Sequence, residues 1–90
     1  MPYIPLQSRQ DLEDVLIPLY AVLEGAPIGN LNYAISRLLW TFFDTKPSYE
    51  NANKLIGVLE CTKQEFYRRK VAPYEDQALK RNGDITSLYG

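Results

Sequence analysis

Residues 65–76 read Glu65-Phe66-Tyr67-Arg68-Arg69-Lys70-Val71-Ala72-Pro73-Tyr74-Glu75-Asp76. Helix formers run up to a proline and resume after it, so the fold turns on how a helical path meets Pro73. A proline inside a helix removes a backbone donor and costs ~3 kcal/mol, and it pushes the preceding residue towards extended geometry. Upstream, Ala52, Leu55, Ile56, Leu59 and Phe66 fall on one helical stripe behind Ser48, a good N-cap. The expectation is therefore a helix of roughly twenty residues from Ser48 to Ala72, kinked or broken at Pro73. A short amphipathic segment over residues 74–81 follows, and Asn82-Gly83 closes it as a C-cap. Ile85, Leu88 and Tyr89 make the last residues read as a docked tail.

The same periodicity extends towards the N-terminus. Leu12, Val15, Leu16, Leu19, Tyr20 and Leu23 form one apolar stripe, with Ser8 as the expected cap, Asp11, Glu13 and Asp14 suited to the helix dipole, Pro18 as a bend and Gly25 as the stop. After the turn Gly25-Ala26-Pro27-Ile28-Gly29, Asn30 is positioned to cap a second helix with stripe Leu31, Ile35, Leu38, Leu39 and Phe42, ending near residues 44–47. The reading is all-α: a single domain over residues 1–90, built as a small bundle of three to four helices with a Pro-kinked or broken C-terminal helix.

Length and charge narrow the chemistry. A chain of 90 residues buries only a little over ~60% of its unfolded surface, so self-association as a homo-oligomer would repair a thin core. A net charge of −1 gives no basic excess for gripping DNA or RNA. With no histidine and the single Cys61, imidazole-based catalysis and soft-metal sites have no ligand set, no cofactor or metal is expected, and a reducing cytoplasm is the natural compartment. The longest nearly apolar run, Leu38-Leu39-Trp40-Thr41-Phe42-Phe43, is far short of the ~20 residues that span a bilayer, so no membrane partner is expected.

Three constellations remain. Asp11 with Asp14 and Glu60 with Glu65 are the material for a magnesium-dependent nucleotide hydrolase, but Glu60 and Glu65 diverge on an ideal helix and the other pair suits the helix dipole alone. Tyr33, Arg37 and Trp40 share one face of the second helix, either packed against a neighbour or as a stacking surface with a guanidinium between rings. Lys63, Arg68, Arg69 and Lys70, interleaved with Tyr67 and Tyr74, could pair with Glu65, Glu75 and Asp76 or grip phosphate.

The strings Gly29-Asn30-Leu31-Asn32-Tyr33-Ala34-Ile35-Ser36-Arg37-Leu38, Glu65-Phe66-Tyr67-Arg68-Arg69 and Pro73-Tyr74-Glu75-Asp76 with Asn82-Gly83-Asp84 resemble those of a small family found in phages and bacteria. The chain is similar to the phage anti-CBASS sponges that capture cyclic-nucleotide signals of bacterial antiphage defence. That resemblance implies a homo-oligomer in the host cytoplasm that binds a small nucleotide ligand without cleaving it, and so no enzyme and no catalytic residues. Chemistry, and not carry-over from the family, then selects Tyr33, Arg37, Tyr67, Arg68 and Tyr74 for stacking and phosphate neutralisation, with Asn82 and Asp84 reading polar edges. The alternative from the residues alone is a structural or regulatory protein–protein module presenting Tyr33, Trp40 and Tyr67.

Overall fold

The computed structural model describes residues 4–85, and these form helices joined by short turns with no strand among them. In order they are α1 (Leu6–Leu23), α2 (Ile28–Thr45), α3 (Tyr49–Phe66), a π-turn (Tyr67–Val71) and α4 (Ala72–Asn82). The all-α expectation holds. The chain divides into two compact units, Met1–Ala52 and Asn53–Gly90.

In the first unit both long helices open on proline. Pro5 (φ −56°, ψ 151°) and Pro27 (φ −56°, ψ 148°) are the N-caps of α1 and α2, displacing the expected caps Ser8 and Asn30 into the helices. Ring closure fixes φ without sacrificing a useful donor, and each proline carbonyl starts the ladder: Arg9 N donates to Pro5 O at 3.1 Å and Asn30 N to Pro27 O at 2.9 Å. No acid lies in the first turn of α1, so Asp11, Glu13 and Asp14 sit too far along to serve as dipole partners of that first turn. Pro18 lies within α1, whose helix continues through it to Leu23. The missing N–H leaves the Asp14 carbonyl without its usual backbone donor.

Between the helices, Glu24 (φ −59°, ψ 129°) and Gly25 (φ 77°) take the two central places of a type II turn, closed by Ala26 N donating to Leu23 O at 3.0 Å. The second central place needs positive φ, which is why glycine stands there. The C-terminal corner of α2 is held differently. Ser48 Oγ accepts from Asn51 N at 3.0 Å as the expected cap of α3, and Asn51 Nδ2 donates to both Phe42 O and Lys46 O at 3.1 Å. One amide side chain thus satisfies two carbonyls that the end of α2 leaves open.

In the second unit, the path across Pro73 stays helical rather than breaking. Phe66, Val71 and Ala72 all have right-handed helical dihedrals, and Ala72 N donates to Tyr67 O, a bond spanning five residues instead of four. The wider turn absorbs the proline by placing it in the first turn of α4, where a missing N–H is tolerated. α3 accordingly stops at Phe66, short of the expected Ala72. Gly83 (φ 87°) ends α4 with its N–H on Leu79 O at 2.8 Å, as the Asn82-Gly83 reading anticipated. Ile85 is 77% exposed, so the docked-tail expectation fails at that residue; Leu88 and Tyr89 lie outside the described residues.

The stripes form where expected on their helices. No described residue is buried, and α1 and α2 share a turn without a packed interface. On α2, Leu31 is 42%, Ile35 43%, Leu38 57% and Phe42 64% exposed. Among the described residues no helix is long and apolar enough to cross a membrane.

Two substitutions test the turns. Gly25→Ala forces a side chain into positive φ and is expected to cost about 1 kcal/mol. Asn51→Ala loses both carbonyl bonds and is expected to cost roughly 1–2 kcal/mol. Urea unfolding followed by circular dichroism at fixed protein concentration checks both, and an unchanged midpoint in either variant contradicts the role given to that residue.

Candidate functional site

The residues with the richest side-chain chemistry lie on the π-turn and its flanks. Lengthening the helix by one residue per turn at Tyr67–Val71 places ring and guanidinium groups on both sides of α4's start. Glu65, half-buried at the end of α3, takes Arg68 at 3.3 Å and Arg69 at 3.2 Å. These are the i,i+3 and i,i+4 pairs that a helix permits. Desolvation pushes the Glu65 carboxyl up, but hydrogen bonds from Arg69 and Arg68 and their charges outweigh it and hold the group below its ordinary value.

Tyr67 faces forward along the chain. Its hydroxyl donates to Glu75 Oε1 on α4, spanning the π-turn. That hydrogen bond, then the negative charge of Glu75, with smaller contributions from desolvation and Asp76, raises the Tyr67 phenol above its ordinary value. Glu75 is thus engaged by the Tyr67 phenol, while Arg68 and Arg69 both take Glu65, one of the three carboxylates expected for them. On the next row, the Arg81 guanidinium lies over the Tyr74 ring, 5.8 Å from its centroid. Arg81 was missed in the sequence, although seven residues after Tyr74 it falls on the same helical face.

The seven sequence-selected residues separate into two groups. Tyr67, Arg68, Tyr74, Asn82 and Asp84 belong to the second unit, whereas Tyr33 and Arg37 are one turn apart on α2 in the first. Asn82 is the last residue of α4, and Asp84 follows the turn made by Gly83. Among the described residues Arg37 makes no ring contact with Tyr33 or Trp40, so the guanidinium does not sit between those two rings. A shallow apolar depression at the α2–α3 corner is lined by Phe43, Pro47, Ser48, Tyr49 and Ala52. None of the seven residues lines it.

Carboxylates do not gather into a chelating set. Among the described residues no three histidine, cysteine, aspartate or glutamate side chains could hold one metal ion. Asp11 accepts from Gln7 at 3.0 Å, and Glu60 takes Lys63 at 3.6 Å and Gln64 at 3.1 Å. Of the carboxylates considered for a hydrolase, Asp11, Glu60 and Glu65 are thus engaged with their own helix neighbours or the arginines that follow.

A family model described as a domain of unknown function, DUF6899, matches residues 1–85. The chain belongs to the DUF6899 family. The match spans α1 to α4 and the positions of all seven selected residues. No curated protein and no solved structure matches the chain.

The two shifted groups set opposite pH limbs. The lowered Glu65 contributes stability that is present above the ordinary glutamate range and lost as pH falls through its folded value. The raised Tyr67 contributes stability that is present below the ordinary tyrosine range and lost as pH rises through its folded value. Glu75→Gln is expected to bring the Tyr67 titration down, read by NMR of labelled tyrosine with Tyr67→Phe assigning the signal. An unmoved titration would exclude Glu75 as its cause.

Proposed function

We propose that the protein is a non-enzymatic homo-oligomer that sequesters an anionic cyclic-nucleotide signal, binding it and leaving it chemically intact. The reading is supported by one observation above all: Arg68, Arg81 and the Tyr74 ring are held through exposed contacts that a ligand can replace, beside Tyr67, whose hydroxyl is tied to Glu75. Arg68 is held by an exposed ion pair at 3.3 Å, and such pairs are worth only ~0–1 kcal/mol. A phosphate offers the same fork a dianionic partner, and a base can take the Tyr74 face now covered by Arg81 at 5.8 Å. In this reading Asn82 and Asp84 read polar edges, and Tyr33 and Arg37, one turn apart on α2, supply a second ring and guanidinium. The π-turn is where a kink of the C-terminal helical path would lie. If the resemblance to phage sponges extends to setting, capture takes place in the host cytoplasm.

A second reading is favoured by a different observation. The uncovered stripes of α1 and α2, with Tyr33 and Trp40 also exposed, suit a protein–protein module whose partner buries them. Native mass spectrometry with cyclic dinucleotides, cyclic ADP-ribose isomers and linear nucleotides plus magnesium distinguishes the two. Capture predicts an oligomer carrying unmodified cyclic nucleotide, and Arg68→Ala weakens it by ~1.5–3 kcal/mol as a charged hydrogen bond is lost. An oligomer that ignores the panel selects the interaction module. A shortened product mass overturns the non-enzymatic reading.

A further inference from the structure

Two prolines lie within helical paths of this chain, and only one of them is passed through a wider turn. Pro18 sits inside α1, which continues as an α-helix from Leu6 to Leu23. At Pro73 the backbone instead takes the π-turn Tyr67–Val71 before α4 resumes. A missing N–H, and a ring pressed towards the carbonyl four residues back, are common to both places. Proline alone is therefore not sufficient for the π-turn, and something else near residue 73 selects it. What Pro73 has and Pro18 lacks, among the described residues, is a side-chain hydrogen bond across the turn: the Tyr67 hydroxyl donates to Glu75 Oε1, eight residues on. In an α-helix residues seven apart share a face, whereas the eighth lies about 80° further round. One extra residue in the turn brings position 75 to where position 74 would otherwise stand. The Tyr67–Glu75 bond thus belongs to the wide register and is lost in the narrow one.

We infer that the Tyr67–Glu75 hydrogen bond is a register lock: it holds Ala72 N–H on the Tyr67 carbonyl instead of the Arg68 carbonyl, and so decides which residues of α4 share a face with the arginines. Every group involved lies in the second unit, so the lock is internal to that unit. Releasing it turns α4 against α3 by about one residue, roughly 100°. In the narrow register Glu75 stands seven residues after Arg68, and Asp76 seven after Arg69, on shared faces. Both carboxylates then compete for the guanidinium groups. In the wide register Glu75 is held on Tyr67, and Arg68 keeps its exposed pair with Glu65 at 3.3 Å. The lock is therefore a two-state element that sets how far the arginines are neutralised from within their own helix. It rests on backbone register and is independent of nucleotide capture.

Scalar couplings across hydrogen bonds, measured by NMR on isotopically labelled protein, read the carbonyl that accepts from Ala72 N–H. In the unaltered chain that acceptor is expected to be the Tyr67 carbonyl. Tyr67→Phe removes only the donating hydroxyl, and Glu75→Ala removes the acceptor. In each, the Ala72 coupling is expected to move to the Arg68 carbonyl, and in Tyr67→Phe the ring at position 67 is expected to contact Tyr74 in place of Glu75, read by nuclear Overhauser effects. Pro73→Ala keeps both partners of the bond and is expected to keep the coupling to Tyr67. All three substituted positions are exposed, and removing the bond from either end guards against a variant that fails to fold. A coupling to the carbonyl of residue 67 that survives in Tyr67→Phe or Glu75→Ala overturns the lock, as does its loss there with no coupling to Arg68 in its place. Its loss from Pro73→Ala also overturns the lock, since the proline would then carry the turn.

Discussion

Helices of 18 residues with a strong apolar stripe require that stripe to be covered, because isolated helices of this kind are marginal in water. Ordering each residue costs roughly 1–2 kcal/mol of backbone entropy, and burying a leucine or phenylalanine side chain returns ~1.5–3 kcal/mol. In this chain no described residue is buried. Everything else follows from that constraint. The prolines, glycine turn and Asn51 corner fix how the helices are presented, while the apolar faces remain available.

The local devices are economical for a chain in that position. Pro5 and Pro27 set the entry of α1 and α2 without relying on a side-chain cap, so neither helix start depends on tertiary contacts. Asn51 satisfies Phe42 O and Lys46 O from a single amide, which fixes the corner between α2 and the first turn of α3 where no buried core would do so. The π-turn plays the same part at Pro73. It keeps the backbone helical by shifting one bond to five-residue spacing, and it does so among exposed residues where water can serve the carbonyls left open.

What was legible in the sequence follows from range. The helix stripes, Ser48 as a cap, Gly25 as a stop and Gly83 as a C-cap are decided by neighbours within a turn or two, and each is found. Ser8 and Asn30 were misplaced because prolines nearby offered a competing start that a cap preference alone does not weigh. At Pro73 the sequence left a kink or a break open, since sequence rules describe a proline against a four-residue ladder, and the path continues there through a π-type bond that escapes that premise. In the candidate site, the Glu65 pairs were visible as i,i+3 and i,i+4 spacings, and the Tyr74–Arg81 contact was available from seven-residue spacing. The Tyr67–Glu75 bond was not, because eight-residue reach exists only once the π-turn has changed the register. The bundle core was inferred from stripes, which establish that a face must be covered and not by which molecule.

The exposed character of the charged cluster bears on its use. A binding site assembled from buried ion pairs would have to break desolvated contacts to admit a ligand, at several kcal/mol for each partner left behind. Here Arg68 rests on Glu65 with most of its side chain in solvent, 69% exposed, so exchanging a carboxylate for a phosphate costs little and restores a charged hydrogen bond of the same kind. Arg81 over Tyr74 is in the same position: moving the guanidinium away uncovers a ring face that a base can occupy. Tyr67 is different, since its hydroxyl is tied to Glu75 across the π-turn and its removal would loosen the backbone that carries the arginines. The cluster thus combines a fixed strut with exchangeable cations.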